Sequence, residues 1–142
     1  MIGDGPERTN IEKLCRELDT CNDIRMLGKV TDPIQILSIA DVFILPSETE
    51  SFGLAALEAM ASKVPVISTN TGGLPEVNID GYSGYLCNVA DVDQMVAKTI
   101  SLLENEDTLK KFKLQAFEQA KKFDIEKILP QYEALYNKVL KK

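Results

Sequence analysis

The sequence predicts an α/β protein with a doubly wound, mostly parallel sheet, followed by helices at the C-terminal end. Short apolar runs rich in β-branched residues alternate with longer segments of helical period. This alternation is typical of a parallel sheet whose connecting helices cover both faces. Beyond Asp91 the apolar residues keep the helical period, so the remainder of the chain is predicted to be helical.

The composition is that of one ordinary globular domain and excludes several classes of function. The 142 residues carry a net charge of −6, which argues against nucleic acid as the main partner because phosphate binding needs a basic surface. The sequence contains no histidine, which removes Ser-His-Asp catalysis and most zinc sites. No apolar run has the length of a membrane span and no signal peptide opens the chain, so we expect a cytoplasmic protein. The cysteines lack metal-type spacing and are expected to be reduced thiols: Cys15, Cys21 and Cys87.

The N-terminal part of the chain contains one predicted helix and one predicted strand. The helix covers about Pro6–Leu18, and the strand covers Ile24–Leu27 and ends at Gly28. The apolar positions of the helix are expected to be buried: Ile11, Leu14, Cys15 and Leu18. Only Met1 and Ile2 precede the first glycine turn, where a βα unit normally has a full strand. We therefore expect the chain to be a piece of a larger domain, cut inside that strand.

The centre of the chain is predicted to be a strand, a polar loop and a helix. The strand Val42–Leu45 is closed by Pro46, and the helix opens at Gly53. Hydroxyl residues in the loop are candidates for capping the helix: Ser47, Thr49 and Ser51. This arrangement places unpaired backbone N–H groups at the carboxyl edge of the sheet, where open α/β sheets bind ligands and a helix dipole favours anions.

Further elements are predicted after the central helix. Lys63 precedes the next strand, Val64–Ser68. The known family that the chain resembles, described below, usually has glycine here, where the helix ends in a left-handed conformation, so with Lys63 the cap is expected to be strained or built differently. A flexible loop, Thr71–Gly73, is expected at the same sheet edge, and a last strand over Gly84–Cys87. Of the helices that follow, the last is interrupted by Pro130, which is expected to kink or restart it. The apolar stripe of that helix is expected to belong to the core by default, whereas the likeness to a known family described below implies an interdomain surface.

Two carboxylates flank the central turn. Glu50 lies in the loop before the helix, and Glu58 lies inside the helix after seven intervening residues. Helical spacing puts Glu58 on one face with three apolar residues: Leu54, Leu57 and Ala61. A carboxylate on such a face must find hydrogen-bond donors or stay in water. A sugar diol would supply two donors, and a position at the helix edge explains the residue equally well.

The segment from Glu50 to Glu58, Glu-Ser-Phe-Gly-Leu-Ala-Ala-Leu-Glu, resembles the Glu-x7-Glu signature of the retaining GT-B glycosyltransferases. Similar motifs occur in the order found in that family: Gly3–Pro6, Leu27–Val30, Pro65–Ser68, Thr71–Val77 and Gly81–Leu86. The resemblance covers nearly the whole chain. It implies a Rossmann-like α/β domain in which residues 1–142 are the C-terminal, nucleotide-sugar-binding domain, partial at its N-terminus.

The resemblance also implies a role for each candidate site residue. Glu50 would be catalytic, bonding a sugar hydroxyl and stabilising positive charge that develops at the anomeric carbon. Glu58 would accept hydrogen bonds from both ribose hydroxyls, and Lys29 and Val30 would contact the nucleotide base. The start of the helix would bind the rest of the donor: Ser51, Phe52, Gly53 and Leu54. The family's usual chemistry needs no metal and no cofactor beyond the nucleotide-sugar donor.

A narrower likeness within the family concerns Leu45–Ala61, Glu76–Asn78 and Val89–Val92. It implies UDP-N-acetylglucosamine (UDP-GlcNAc) as donor, L-malate as acceptor and a place in bacillithiol biosynthesis. The acceptor domain and the basic residues that neutralise the diphosphate would lie upstream, so we expect this chain alone to bind nucleotide weakly and to be inactive. An unpaired sheet edge would permit association with a second copy. Two alternatives stay open, a GT-B sugar-nucleotide epimerase and a non-catalytic α/β nucleotide-binding module.

Overall fold

A computed structural model describes residues 1–140 of the chain. They form two compact units, one of residues Met1–Pro33 and one that begins at Ile34. The second unit holds a parallel sheet with helices, which confirms the predicted α/β class. Within residues 1–140, no helix combines the length and the apolar character needed to cross a membrane.

The first unit contains the helix α1 (Arg8–Glu17), slightly shorter than predicted. It buries Cys15, but Leu14 and Leu18 are 52% and 62% exposed, so the prediction that these leucines are buried is wrong. A unit of this size has too little chain to cover the whole apolar face of its helix.

The strand predicted over Ile24–Leu27 does not form among the described residues of the first unit. The N–H of Leu27 donates to the carbonyl of Met1 at 3.0 Å, and the N–H of Gly3 donates to the carbonyl of Gly28 at 2.8 Å. These bonds make one isolated antiparallel bridge between the two glycines. A regular strand requires a ladder of paired residues, and one isolated bridge does not provide it.

Two of the cysteines are paired, which corrects the expectation that all are reduced thiols. Cys15 in α1 and Cys21 in the following turn form a disulfide, with their Cα atoms 5.2 Å apart. The N–H of Thr20 donates to the carbonyl of Cys15 at 3.0 Å, so the chain reverses directly after the helix and brings the two sulfurs together. Cys87 is free and buried, and burial raises the pKa of its thiol.

A parallel sheet of three strands forms the centre of the second unit. In spatial order the strands are β1 (Phe43–Leu45), β2 (Val66–Thr69) and β3 (Gly84–Cys87). In the parallel register, Ile67 lies opposite Ile44 on one side and Tyr85 on the other. All four residues of β2 are buried, as expected for a central strand of a parallel sheet. The three strands predicted in this part of the chain are therefore confirmed, with small shifts of their ends.

The helices of the second unit follow and connect these strands. In chain order they are α2 (Ile34–Leu37), α3 (Leu54–Ala61), α4 (Leu74–Val77), α5 (Val92–Leu103), α6 (Glu106–Ala120) and α7 (Ile125–Leu140), with a short 3-10 turn at Lys121–Phe123. Asp91 caps α5 by accepting a hydrogen bond from the backbone N–H of Gln94 at 3.0 Å. α5 buries Met95 and Leu102.

The core lies on both faces of the sheet. Val66 belongs to a buried cluster with residues of α2, α3, α4 and α6, whereas Ile67 belongs to a second cluster with residues of α5 and α6. Successive side chains of a strand point to opposite faces, so the two clusters cover the two faces of β2. This arrangement confirms the predicted doubly wound sheet.

Helix α7 is one helix over Ile125–Leu140 with Pro130 inside it, so of the two predicted effects of the proline, the restart of the helix does not occur. Its apolar stripe, which was expected to be core, is exposed. None of the residues of α7 is buried, and Leu135 and Tyr136 are 54% and 62% exposed.

A buried polar network ties α4 to the sheet. Asn78 follows α4 and is 0% exposed. Its Nδ2 donates to the carbonyl of Val66 and to Ser68 Oγ, each at 3.0 Å, and its Oδ1 accepts from Ser83 Oγ at 2.9 Å. A further contact of 3.2 Å joins Nδ2 to the carbonyl of Tyr85. The side chain thus bonds both β2 and β3 while leaving none of its own polar atoms unpaired.

Helix α3 ends in a left-handed residue that is not glycine. Lys63 has a φ of 61°, and its N–H donates to the carbonyl of Met60 at 3.0 Å. The N–H of Val64 donates to the carbonyl of Ala59 at 3.0 Å. These are the two hydrogen bonds of a Schellman cap, so the left-handed end expected from the sequence is present with a lysine in it.

Candidate functional site

The loop between β1 and α3 carries most of the predicted site residues. It ends at Gly53, which has a φ of 99° and stands at the N-cap of α3. A Cβ atom on this glycine would lie 2.9 Å from Leu74 Cδ2, so a side chain would both strain the backbone and meet α4. No side chain caps this helix, so the expected capping by Ser47, Thr49 or Ser51 is wrong. The reason is that a glycine occupies the N-cap position itself.

Glu50 lies in this loop and is half-buried. Its backbone carbonyl accepts a hydrogen bond from the N–H of Gly73 at 3.3 Å. Its carboxylate makes no hydrogen bond or ion pair within residues 1–140. The side chain is therefore held through its backbone, and its two oxygen atoms are available to a ligand.

Glu58 lies one helical turn after Leu54, the first residue of α3, and is exposed at the edge of the helix. It shares its face with Leu54, which is 65% exposed, and with Leu57, which is half-buried. This face lines a cleft of about 510 Å³ whose opposite wall includes Phe117 and Lys121. The carboxylate is thus at the rim, in contact with water, which was one of the positions predicted for it. Like Glu50, it has no protein hydrogen-bond partner in the described part of the chain.

Phe52 stands between the loop and the C-terminal helices. It is 42% exposed, and its ring lies edge-on to Phe123 with the centroids 6.1 Å apart. Together with Leu54 and Leu57 it lines a groove of about 610 Å³, whose other wall is formed by apolar residues of α7. Sequence reasoning missed Phe123 and Lys121 at this site, because no pattern along the chain links them to α3.

The end of β2 and the loop that leads to α4 support the loop between β1 and α3. Thr69 Oγ1 donates to the carbonyl of Ser47 at 2.6 Å, and Thr71 Oγ1 donates to the carbonyl of Glu48 at 3.1 Å. A Cβ atom on Gly72 would lie 1.6 Å from the carbonyl oxygen of Glu50, so only glycine allows the two backbones to approach this closely. The segment Thr71–Gly73, expected to be a flexible loop, is instead tied to the site by hydrogen bonds.

The remaining predicted site residues fall into two groups. Ser51 is exposed and adjoins Glu50, Phe52 and Gly53, so the second unit brings this group together. Lys29 and Val30 belong to the first unit, where Lys29 is exposed and Val30 is half-buried. Among the described residues, no cluster of three or more acidic or cysteine side chains is arranged to hold a metal ion.

The fold and this site define the class of protein. The chain belongs to the family of group 1 glycosyl transferases, whose family model matches residues 1–119. It is 41% identical over 142 residues to N-acetyl-alpha-D-glucosaminyl L-malate synthase of Bacillus anthracis, a match that covers 99% of this chain. It is also 35% identical over 127 residues to a sulfoquinovosyl transferase of Arabidopsis thaliana, which covers 87% of this chain. The chain spans only 37% and 24% of the lengths of these two relatives.

Solved structures place the fold among the GT-B glycosyltransferases. The crystal structure of the pneumococcal O-GlcNAc transferase GtfA, determined in complex with UDP and GlcNAc, superimposes with a TM-score of 0.84 at 26% sequence identity. The match covers 99% of this chain and 29% of GtfA. The predicted Rossmann-like α/β fold is thereby confirmed.

Proposed function

We propose that the chain is the donor-binding domain of a retaining glycosyltransferase that uses a UDP-sugar. The proposal rests on the geometry of the residues around the N-terminus of α3. There a half-buried Glu50, without a side-chain partner among residues 1–140, precedes a left-handed Gly53, and an exposed Glu58 follows on the same helix. Membership of the family of group 1 glycosyl transferases supports the proposal.

Glu58 is proposed to bind the ribose of the nucleotide. A carboxylate accepts hydrogen bonds from both hydroxyls of a diol, and Glu58 presents one on the wall of an open cleft. Leu54 and Leu57 offer apolar surface beside it. Lys29 and Val30 are proposed to contact the base.

Glu50 is proposed to be the catalytic residue. Its carboxylate would bond a hydroxyl of the donor sugar and stabilise the positive charge that develops at the anomeric carbon as the diphosphate leaves. The diphosphate would approach the backbone N–H groups at the N-terminus of α3, which begins after Gly53 and where the helix dipole favours anions. Ser51, Phe52 and Leu54 would complete this contact. The proposed reaction uses no metal and no cofactor apart from the nucleotide sugar.

The donor is proposed to be UDP-GlcNAc and the acceptor L-malate. The relative from Bacillus anthracis is named as an N-acetyl-alpha-D-glucosaminyl L-malate synthase, and GtfA was crystallised with UDP and GlcNAc. This assignment would place the parent protein in bacillithiol biosynthesis. The chain spans 37% of that relative, so we propose that an N-terminal acceptor domain completes the enzyme and that this chain alone binds nucleotide weakly and is inactive. A cytoplasmic location and association of two copies stay predictions.

The proposal is tested by titrating the folded chain with UDP and following backbone amide resonances by NMR. We expect saturable shifts at α3, and we expect Glu58→Gln to weaken binding by about 1 kcal/mol or more, because hydrogen bonds to a charged acceptor are lost. Glu104→Gln is the matched control, since Glu104 is an exposed glutamate at the end of α5 that lines neither cleft. Equal affinities of the two variants, or shifts confined to other parts of the chain, would contradict the proposal.

A further inference from the structure

The position of Glu50 is determined by residues of the neighbouring loop rather than by its own side chain. Within residues 1–140 its carboxylate has no partner, so the location of that group depends on the path of the backbone. Three hydrogen bonds fix that path, and all come from the last residue of β2 and the loop that follows it. The donors are Thr69 Oγ1, Thr71 Oγ1 and the N–H of Gly73.

These three donors contact three backbone carbonyls in the loop between β1 and α3 (residues 46–53), which is called the site loop below. Thr69 bonds Ser47, Thr71 bonds Glu48, and Gly73 bonds Glu50. The donors and their acceptors follow in the same order along the chain, so the two segments run side by side. A threonine side chain is suited to this role because branching at Cβ restricts χ1 and holds the hydroxyl in one direction.

We propose that Thr69 and Thr71 are positioning residues that set the Glu50 carboxylate against the donor sugar. This inference rests on the function proposed above, in which Glu50 contacts the sugar and Glu58 contacts the ribose. It predicts that loss of a threonine hydroxyl weakens recognition of the sugar without weakening recognition of the nucleotide. A role in folding alone would change both to the same extent.

Thr71 provides the cleaner test. Thr69 is 1% exposed, so its substitution would also disturb the core, whereas Thr71 is half-buried. Thr71→Val keeps the shape and removes the hydroxyl, and Thr71→Ser keeps the hydroxyl. Thr99→Val is the matched control, because Thr99 Oγ1 donates to the carbonyl of Met95 at 2.7 Å within α5, outside the site.

We expect Thr71→Val to weaken binding of UDP-GlcNAc by about threefold to tenfold, as for one lost hydrogen bond, and to leave binding of UDP unchanged. Thr71→Ser should restore the wild-type ratio of the two affinities, and Thr99→Val should not alter it. The dissociation constants are measured on the full chain by NMR titration. Equal weakening for both ligands, or an unchanged ratio in Thr71→Val, would overturn the inference.

Hydrogen exchange separates this inference from the proposed function. If the wild-type chain binds neither ligand, the proposed donor function fails, and the exchange rate of the Gly73 amide still reports on the site loop because that amide bonds the Glu50 carbonyl. Faster exchange in Thr71→Val than in Thr99→Val would support positioning by Thr71. Equal rates in the two variants would overturn it.

Discussion

Helices α3 and α7 are both rich in apolar residues, yet they have opposite environments. Three residues of α3, Ala56, Ala59 and Met60, are 0% exposed, whereas α7 has no buried residue. α3 packs against strands β1 and β2 and against α6, which cover its small residues. α7 has an apolar face that lines a groove. A helical pattern therefore identifies which face is apolar, but the fold decides whether that face is covered.

The largest expected effect comes from truncating one apolar side chain in each helix. Met60→Ala should lower the free energy of unfolding by about 2–5 kcal/mol, because it leaves a cavity in the core. Leu135→Ala should cost less than about 1 kcal/mol, since Leu135 is already 54% exposed. Urea unfolding followed by circular dichroism measures both. Similar losses for the two variants would show that α7 is covered by protein in solution.

A buried and an exposed asparagine extend the comparison between the core and α7 to polar residues. Asn78→Ala should lower the free energy of unfolding by about 2–3 kcal/mol, because it removes the donor that joins α4 to Val66 and Ser68 and leaves Ser83 Oγ without its acceptor. Asn137→Ala on the exposed surface of α7 should change it by less than about 0.5 kcal/mol. A small effect at Asn78 would mean that water enters this part of the core.

The substitution with the smallest expected effect is one that stabilises the protein. Lys63→Gly should raise the free energy of unfolding by about 0.5–1 kcal/mol, because glycine adopts the left-handed end of α3 without strain. Lys111→Gly, the same substitution inside α6, should lower it by about 1 kcal/mol. Thermal unfolding at constant pH measures the two variants side by side. A destabilised Lys63→Gly would show that the contact of Lys63 Nζ with the Phe117 ring outweighs the strain.

The strands and the central turn could be predicted because their information is local. Buried β-branched runs, Pro46 after β1 and Gly53 before α3 each act over a few residues. The strand predicted at Ile24–Leu27 failed because a strand also needs a pairing partner. The pairing of Cys15 with Cys21 was missed because an odd number of cysteines without metal-type spacing says nothing about which of them meet.

The hydrogen bonds that hold the loop between β1 and α3 could not be predicted, because they join residues that are far apart in the sequence. Thr69 and Thr71 bond carbonyls 22 and 23 residues earlier in the chain, and such contacts leave no periodic pattern. The sequence predicts that Gly72 and Gly73 belong to a flexible loop. In the structure glycine is needed at both positions because the backbones of Glu50 and Phe52 approach closely, and only the folded sheet edge brings them there.

The central claim is that the opening of α3 binds the nucleotide sugar, with Glu58 on the ribose and Glu50 on the sugar. The most direct measurement is a crystal structure of the chain with UDP-GlcNAc bound. The account predicts both ribose hydroxyls within about 2.6–3.2 Å of the Glu58 carboxylate and a sugar hydroxyl at the same distance from Glu50. A ribose bound away from Glu58, in a well-ordered complex, would contradict it.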